Sequence, residues 1–324
     1  MNIRLLLEHN QTVYDATSIV TDGVAWESSM RGEAGRLRFS VVRDGIINFV
    51  EGDKVQFYTD GILRFVGWVM TKERTQEQII EVTAYDQMFY LAKNRGTYVY
   101  WDKKASEVIS MIASDYGLAV GTMADTGWKI PQRIEEGQTL LDMMLTALEL
   151  SEEATGKEYF LFDDCGRLTV KERSQMDTAG VFCCDGGVGS YTYVTDISED
   201  TVNGVRLYQA GRKETERLAY QQENSEKVEE WGRLYAYRHV AFTLNQAQMK
   251  EIARGILEKQ CRVKKTLVVE NVNGDLDIRG GNSIYLSIPD LAEIGVEQKV
   301  LVEKCTHVYE DGSHKMSMEI RVEG

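Results

Sequence analysis

Residues 37–58 are matched, without a gap, by residues 266–287 near the other end of the same chain. Gly45, Ile47, Phe49, Gly52, Asp53, Val55 and Phe57 fall on Gly274, Leu276, Ile278, Gly281, Asn282, Ile284 and Leu286, each 229 positions later. Each copy reads as an apolar-rich run, a turn containing Gly, a short apolar pair, a second turn closed by Gly-Asp or Gly-Asn, and an alternating strand. Copies this far apart are not a solenoid, whose units follow one another directly. They predict two similar domains with something different between them. A chain that carries one module twice can build a ring of twice its own copy number, so the repeat constrains assembly as well as fold.

The chain has 324 residues, room for two or three domains that each bury a core. A hydrophobic content of 43% with only two prolines argues against disorder. No apolar run approaches the roughly 20 residues of a spanning helix. Near the N-terminus only Leu5, Leu6 and Leu7 follow one another before Glu8 and His9, which predicts no secretory signal and assembly in a cytoplasm. Cys165, Cys183, Cys184, Cys261 and Cys305 are odd in number, fit no metal-ligand spacing, and are expected to be free thiols. A net charge of −14 argues against a large nucleic-acid-binding face. The densest basic cluster, Arg262, Lys264 and Lys265, falls at a helix end, where cations complement the dipole.

The first ninety residues read as antiparallel β, with strands over 3–8, 35–43, 54–58, 63–70 and 78–85. Short strands at this spacing suggest a small barrel, the form without edges. After Asp86 the texture changes. Ala105, Val108, Ile109, Ile112 and Tyr116 make a helical stripe, with Asp102 as the expected N-cap and Gly117 as C′ residue. Thr139 and Asp142 form a capping-box pattern ahead of Leu140, Met143, Met144, Ala147 and Leu148. A hairpin follows, with strands at 159–162 and 168–170 and the turn Asp163, Asp164, Cys165, Gly166. Strand character returns over 191–208. The polar stretch 211–232 is either a surface loop with a short helix at 225–231 or a mobile excursion. Asn245 caps a third helix with the stripe Met249, Ile252, Ala253, Ile256 and Leu257. The last strand alternates: His314, Met316, Met318, Ile320 and Val322 share one face.

Common catalytic signatures are missing: no P-loop, HExxH, GxSxG elbow or CxxC pair. The glycine-rich run 185–190 lacks the later glycine of a dinucleotide fingerprint and precedes a strand, so it reads as a connector. Glu135 with Glu136, Glu152 with Glu153, Asp163 with Asp164, and Glu229 with Glu230 are paired acids of the kind a glycosidase uses. Among 51 acids such neighbours arise by chance, and solvated turns or polar helix faces are expected for all of them. His307 and His314 flank the final hairpin turn, and Cys305 shares the face of His307. A metal site there is weighed against cross-strand packing, which is favoured. His9 and His239 show no partner in the sequence. No catalytic, cofactor-binding or metal residue is assigned, and no cofactor is expected.

Several fragments together resemble the hub protein of contractile phage tails, in the PBSX-like form of prophages and tail-derived bacteriocins. They are Val82-Thr83-Ala84-Tyr85-Asp86, Leu91-Ala92-Lys93-Asn94, the helix over 105–117, Thr139-Leu140-Leu141-Asp142-Met143, and Gly166-Arg167-Leu168. Further on come Val202-Asn203-Gly204-Val205, Thr306-His307-Val308-Tyr309 and His314-Lys315-Met316-Ser317-Met318. None is diagnostic singly; their order along the chain carries the resemblance.

The resemblance implies a non-enzymatic baseplate hub: a homotrimer whose three chains present six similar barrels, joining a sixfold tail tube to a threefold spike. The implied partners are other copies of itself, the tail tube or tube-initiator protein, the central spike protein and baseplate wedge proteins. Neither sequence-specific nucleic acid nor membrane insertion is implied. Assembly in the host bacterial cytoplasm and residence in a virion or bacteriocin baseplate follow from the same likeness. The expected fold is α+β, mainly β: a first β-barrel over 1–92, a middle α/β domain over 93–187, a second β-barrel from 188–212 plus 262–324, and a helical insertion over 213–261 packing with the middle domain. The rival expectation is a cell-wall-active enzyme or glycan-binding β-protein carried by the same machinery.

Overall fold

Alternation of apolar and polar residues builds the first strands: β1 (Ile3–His9), β2 (Thr12–Asp15), β3 (Val20–Ser29), β4 (Arg36–Val42), β5 (Lys54–Thr59), β6 (Ile62–Arg74) and β7 (Ile79–Tyr85). The computed structural model describes every residue except 31, 44, 46, 75, 77, 184–188, 211–216, 241–243, 289–290, 292–296 and 323–324. These strands pair antiparallel in the order β3-β4-β7-β6-β5-β1-β2. Leu5, Val24, Leu37, Val55, Phe65 and Val82 come from six different strands and share one core, so the sheet is rolled around its apolar face. β2 and β3 escaped the sequence reading. β3 carries Asp22 and Gly23 in its interior, and its ladder with β4 shifts register between Thr21 and Val24, which blurs the alternation.

Next come α1 (Met88–Lys93), β8 (Arg95–Lys104), α2 (Ala105–Asp115), β9 (Val120–Met123), β10 (Lys129–Thr139), α3 (Leu140–Thr155), β11 (Tyr159–Asp163), β12 (Leu168–Glu172) and β13 (Asp177–Cys183). α2 and α3 bury the expected stripes in one cluster with Tyr100, Ile130, Leu161, Leu168 and Val170, except for Tyr116, which follows α2 and is exposed. The Thr139 hydroxyl accepts from Asp142 N–H at 3.0 Å and caps α3 as expected. α2 starts differently. Asp102 is left-handed, at φ 51°, and the cap is Lys104, whose N–H donates to the Glu107 carboxylate at 2.8 Å. The hairpin of β11 and β12 turns through Cys165 and Gly166, both at positive φ, with Asp164 and Arg167 exchanging backbone hydrogen bonds. β8 and β10 form a two-stranded ribbon that the sequence did not reveal, because Val99, Trp101 and Ile134 point outward and break the pattern.

The remaining elements are β14 (Ser190–Asp196), β15 (Gly204–Ala210), β16 (Arg217–Glu223), α4 (Ser225–Trp231), β17 (Tyr235–His239), α5 (Gln246–Gln260), β18 (Lys264–Asn273), β19 (Ser283–Ser287), β20 (Glu297–Glu310) and β21 (Ser313–Arg321). The order β18-β21-β20-β19 reproduces β4-β7-β6-β5. The agreement extends to single hydrogen bonds in the second turn of each copy. Gly52 N–H donates to Val69 O and Asp53 N–H to Val50 O; Gly281 N–H donates to Val302 O and Asn282 N–H to Arg279 O. The Asp53 and Asn282 side chains each accept, at 2.7 Å, from the backbone N–H three residues earlier. Gly52 and Gly281 stand at φ 90° and 97°.

In β18 the match slips. Leu267 and Val269 are buried, yet the ungapped match sets them against exposed Arg38 and half-buried Ser40. A shift of one residue turns every side chain to the other face. Asn271, left-handed at φ 58°, lies between the slipped run and Gly274, where register resumes. The ungapped repeat therefore holds from Gly45 onward and fails ahead of it. β20 links the two strand sets: its beginning pairs with β19 and its end with β3, where His307 faces Trp26. The fold is mainly β, of the α+β class.

Two compact units emerge, Met1–Thr192 with Val268–Ile320, and Tyr193–Leu267 with Arg321–Gly324. The first holds both strand sets and the helical segment between them. In the second, β15 pairs antiparallel with β16 and parallel with β17, and α5 lays Met249, Ala253 and Ile256 on Val205 and Leu207. The segment 204–210, assigned from sequence to the second barrel, is the central strand of this small sheet. Asn203 is fully buried; its amide donates to Lys227 O and Gly232 O and its carbonyl accepts from Leu234 N–H, fixing the turn around α4. The helix at 225–231 stands where the sequence placed it.

Candidate functional site

One buried polar group in the first unit joins three distant segments. Asp86 follows β7, Gln87 leads into α1, Asp163 ends β11, and Arg279 belongs to the second copy of the repeat. Asp86 Oδ2 accepts from Gly35 N–H at 2.7 Å and Oδ1 from Met88 N–H at 2.9 Å. Gln87 donates to Asp163 Oδ2 at 2.6 Å, and Gly166 N–H donates to Asp163 Oδ1 at the same distance. Arg279 donates to Asp163 O at 3.1 Å and lays its guanidinium 3.9 Å from the centre of the Phe162 ring. Arg279 is half-buried as a residue, but its Nε is buried and has no hydrogen-bond partner among the described residues.

Burial, and then the charge of Asp163, holds Asp86 well above the usual carboxylate range. Burial also raises Asp163, against the hydrogen bonds from Gly166 and Gln87 and the charge of Arg279. Cys165 lines the same place, and burial pushes its thiol up to about 11, away from nucleophilic use. The cavity among these residues measures about 10 Å³. A ligand pocket takes roughly 300–1,000 Å³. The group is a structural junction rather than a substrate site.

This corrects the expectation that every acid pair is solvated. Asp163 is buried at the junction while Asp164 caps the turn, and Glu135 is 1% exposed, bonded to Arg133 and to the Tyr100 hydroxyl. The hairpin turn looked solvent-facing because the sequence does not show that Arg279, 116 residues later, covers it. Glu136 and Glu153 are exposed, and Glu230 pairs with Lys227. The pairs are dispersed and converge on no common cleft.

At the seam of the strand sets, Cys305, His307 and His314 do come together. Ile278 O can only accept, so His307 Nε2 carries the proton and donates to it at 2.8 Å; Nδ1 then accepts from His314 Nε2 at 2.9 Å. Cys305 Sγ lies 3.2 Å from His307 Nε2. Trp26 stacks on the His307 ring at 5.1 Å, the His314 ring meets His307 through that hydrogen bond, and Tyr309 stacks on His314 at 4.6 Å. Burial drives the His307 pKa down to about 4 and lowers that of His314 as well. Both nitrogens of His307 are thus engaged within the protein as a neutral, stacked ring. No group of three His, Cys, Asp or Glu among the described residues is placed to hold a metal ion.

Gly274 makes this stack possible, since a Cβ there would meet the His314 ring at 2.2 Å. His9, which showed no partner in the sequence, pairs with Asp53 at 2.8 Å, and His239 meets the edge of Tyr208. Cys165, Cys261 and Cys305 are free thiols; Cys184 and the Cys183 side chain lie outside the described residues, as does most of the glycine-rich run.

Comparison with known proteins places the chain in a family. Residues 24–321 match the model of a family described as YQBQ-like. The protein YqbQ of Bacillus subtilis is 31% identical over 273 residues, covering 83% of this chain and 81% of that one. The phage-like element PBSX protein XkdQ of the same organism is 30% identical with the same coverage. Among solved structures, the prophage MuSo2 43 kDa tail protein from Shewanella oneidensis superposes with a TM-score of 0.69 at 12% identity, over 98% of each chain. That likeness establishes the fold.

Proposed function

The chain belongs to the YQBQ-like family, and from that premise we propose that it is a structural protein of a phage-like tail, the hub of its baseplate. XkdQ, a relative over most of its length, belongs to a phage-like element, and the fold is that of a prophage tail protein. The observation that carries the finer reading is the duplication itself. One chain repeats the strand order of β4-β7-β6-β5 in β18-β21-β20-β19, with the same hydrogen bonds around Gly52 and Gly281.

A homotrimer of such chains presents six similar strand sets around one axis, which is how a threefold spike meets a sixfold tube. Its partners are other copies of itself, the tube or its initiator, the spike and the surrounding baseplate wedges. Assembly takes place in the bacterial cytoplasm and the product resides in the tail baseplate. The domains follow the repeat, two small barrels with an α/β domain between them. The protein acts through surfaces and not through a reaction. Electron microscopy of the purified chain tests the reading: rings of six similar lobes around a central hole support it, and single chains or twofold particles overturn it.

A further inference from the structure

Each strand of a sheet has two edges, and the chain fills both edges of β3. Along one it pairs with β4; along the other, residues 24–29 pair antiparallel with residues 304–309 of β20. On β20 the place that receives β3 is well marked. Its beginning pairs with β19, and Val302 N–H donates to Asn282 O at 2.9 Å in the turn ahead of β19. From Lys304 onward the partner on that edge is β3, since the final hairpin to β21 takes the opposite edge. The first copy of the repeat reaches the same point and stops. Val69 N–H makes the counterpart bond, to Asp53 O at 2.9 Å, the ladder with β5 ends at Trp68, and β7 holds residues 71–74 of β6 from the far side. Thr71 is the counterpart of Lys304, each lying two residues past the matched valine. Among the described residues no strand pairs with the near edge of 71–74, where Thr71, Glu73 and Arg74 are exposed.

β14 is the counterpart of β3, because it pairs with β18 as β3 pairs with β4. Its second edge also lacks a partner strand among the described residues. Its sequence, Ser-Tyr-Thr-Tyr-Val-Thr-Asp, is rich in aromatic and β-branched residues and holds neither Pro nor Lys, two residues that blunt an edge. Tyr191 and Val194 point to opposite faces and both are exposed. By contrast β2, at the other end of the sheet, is only four residues long. The two open edges are thus the two halves of the contact between β3 and β20, one half on each copy of the repeat. A rotation that carries the first strand set onto the second carries β3 onto β14, and β20 of one chain onto β6 of the next. Equivalent places in a ring make equivalent contacts.

Resting on the trimeric hub reading, we infer that β14 of one copy adds antiparallel to residues 71–74 of β6 in the next copy, so that every neighbouring pair of strand sets in the ring meets in the same way. Backbone hydrogen bonds hold this contact, and its formation leaves neither edge open to other chains.

Cysteine cross-linking in the full chain tests the inference. Glu73 is the counterpart of Thr306, which lies opposite Glu27 of β3. Glu73→Cys is therefore combined in turn with Val194→Cys, Thr195→Cys and Asp196→Cys, which span the matching stretch of β14. Each double variant is oxidised and run on a denaturing gel without reductant, beside wild type and the single variants. The expected result is wild type at three times 36.8 kDa by light scattering, and at least one double variant giving a ladder that ends at three linked chains while the single variants give none. Hydrogen exchange reads the same contact without any substitution: amides within 71–74 and 190–196 are expected to exchange at least about tenfold more slowly in the trimer than in the diluted single chain. A wild-type trimer in which no pair links and these amides exchange as in the single chain overturns this edge pairing and leaves the hub reading intact. Wild type that remains a single chain at every concentration overturns both.

Discussion

Arg279 and His307 are the two residues on which the first unit turns, and each carries a separable prediction. Arg279 is the cation facing Asp86 and Asp163, so Arg279→Met removes charge while keeping much of the volume. Losing the guanidinium's hydrogen bond to Asp163 O and its nearby positive charge costs about 1–3 kcal/mol, measured by urea unfolding at neutral pH. A loss below about 1 kcal/mol would show that the junction is held by its backbone hydrogen bonds alone. For His307 the sign follows from burial. Its folded pKa of about 4 lies below the ordinary 6.5, so between these values the unfolded chain binds the proton and the folded one does not. Stability therefore falls as pH drops from about 6.5 to about 4, by up to roughly 3 kcal/mol, and levels off below.

The groups facing His307 are His314, Cys305, Trp26, Tyr309 and Ile278 O, with Arg64 and Arg279 adding positive charge nearby. Of these, His314 is lowered by burial too, so its slope has the same sign. Asp86, raised by burial, contributes the opposite slope above its unfolded value. His307→Phe keeps the stack and removes the titration, so its unfolding free energy is expected to vary less between pH 4 and 6.5 than that of wild type. An unchanged slope would contradict the assignment.

Among elements, the repeat explains both what the sequence disclosed and what it hid. Gly52, Asp53, Val55 and Phe57 matched Gly281, Asn282, Ile284 and Leu286 because turn chemistry and strand alternation are local properties. β18 hid its slip because one left-handed residue, Asn271, changes register without altering composition. The caps at Thr139 and Asn245 were legible for the same local reason. The Asp86–Asp163–Arg279 junction was not, since its members are spread along the chain and only the fold joins them. The two turn glycines give a prediction at this scale. Both sit at φ of 90° or more, so Ala strains either backbone by about 1 kcal/mol or more. A Cβ at Gly52 meets nothing within 4 Å, whereas at Gly281 it meets Met176 at 3.2 Å and Phe160 at 3.4 Å. Gly281→Ala is expected to lower the melting temperature further than Gly52→Ala; the reverse order would contradict the packing described around the second turn.

For the molecule as a whole, the fold class and the duplication were readable from 324 residues, while the division into units was not. The segment 193–267 breaks the second copy away from the rest of the sequence because its sheet pairs β15 with β17 in parallel, a long-range choice that local pattern does not encode. What the repeat means for function depends on symmetry. The most direct measurement is a single-particle reconstruction of the purified chain without imposed symmetry. The account predicts three chains around one axis, with the strand sets of β4-β7-β6-β5 and β18-β21-β20-β19 alternating as six equivalent lobes about a central opening. A particle of two chains, or three chains whose second strand set lies away from the ring, would contradict it.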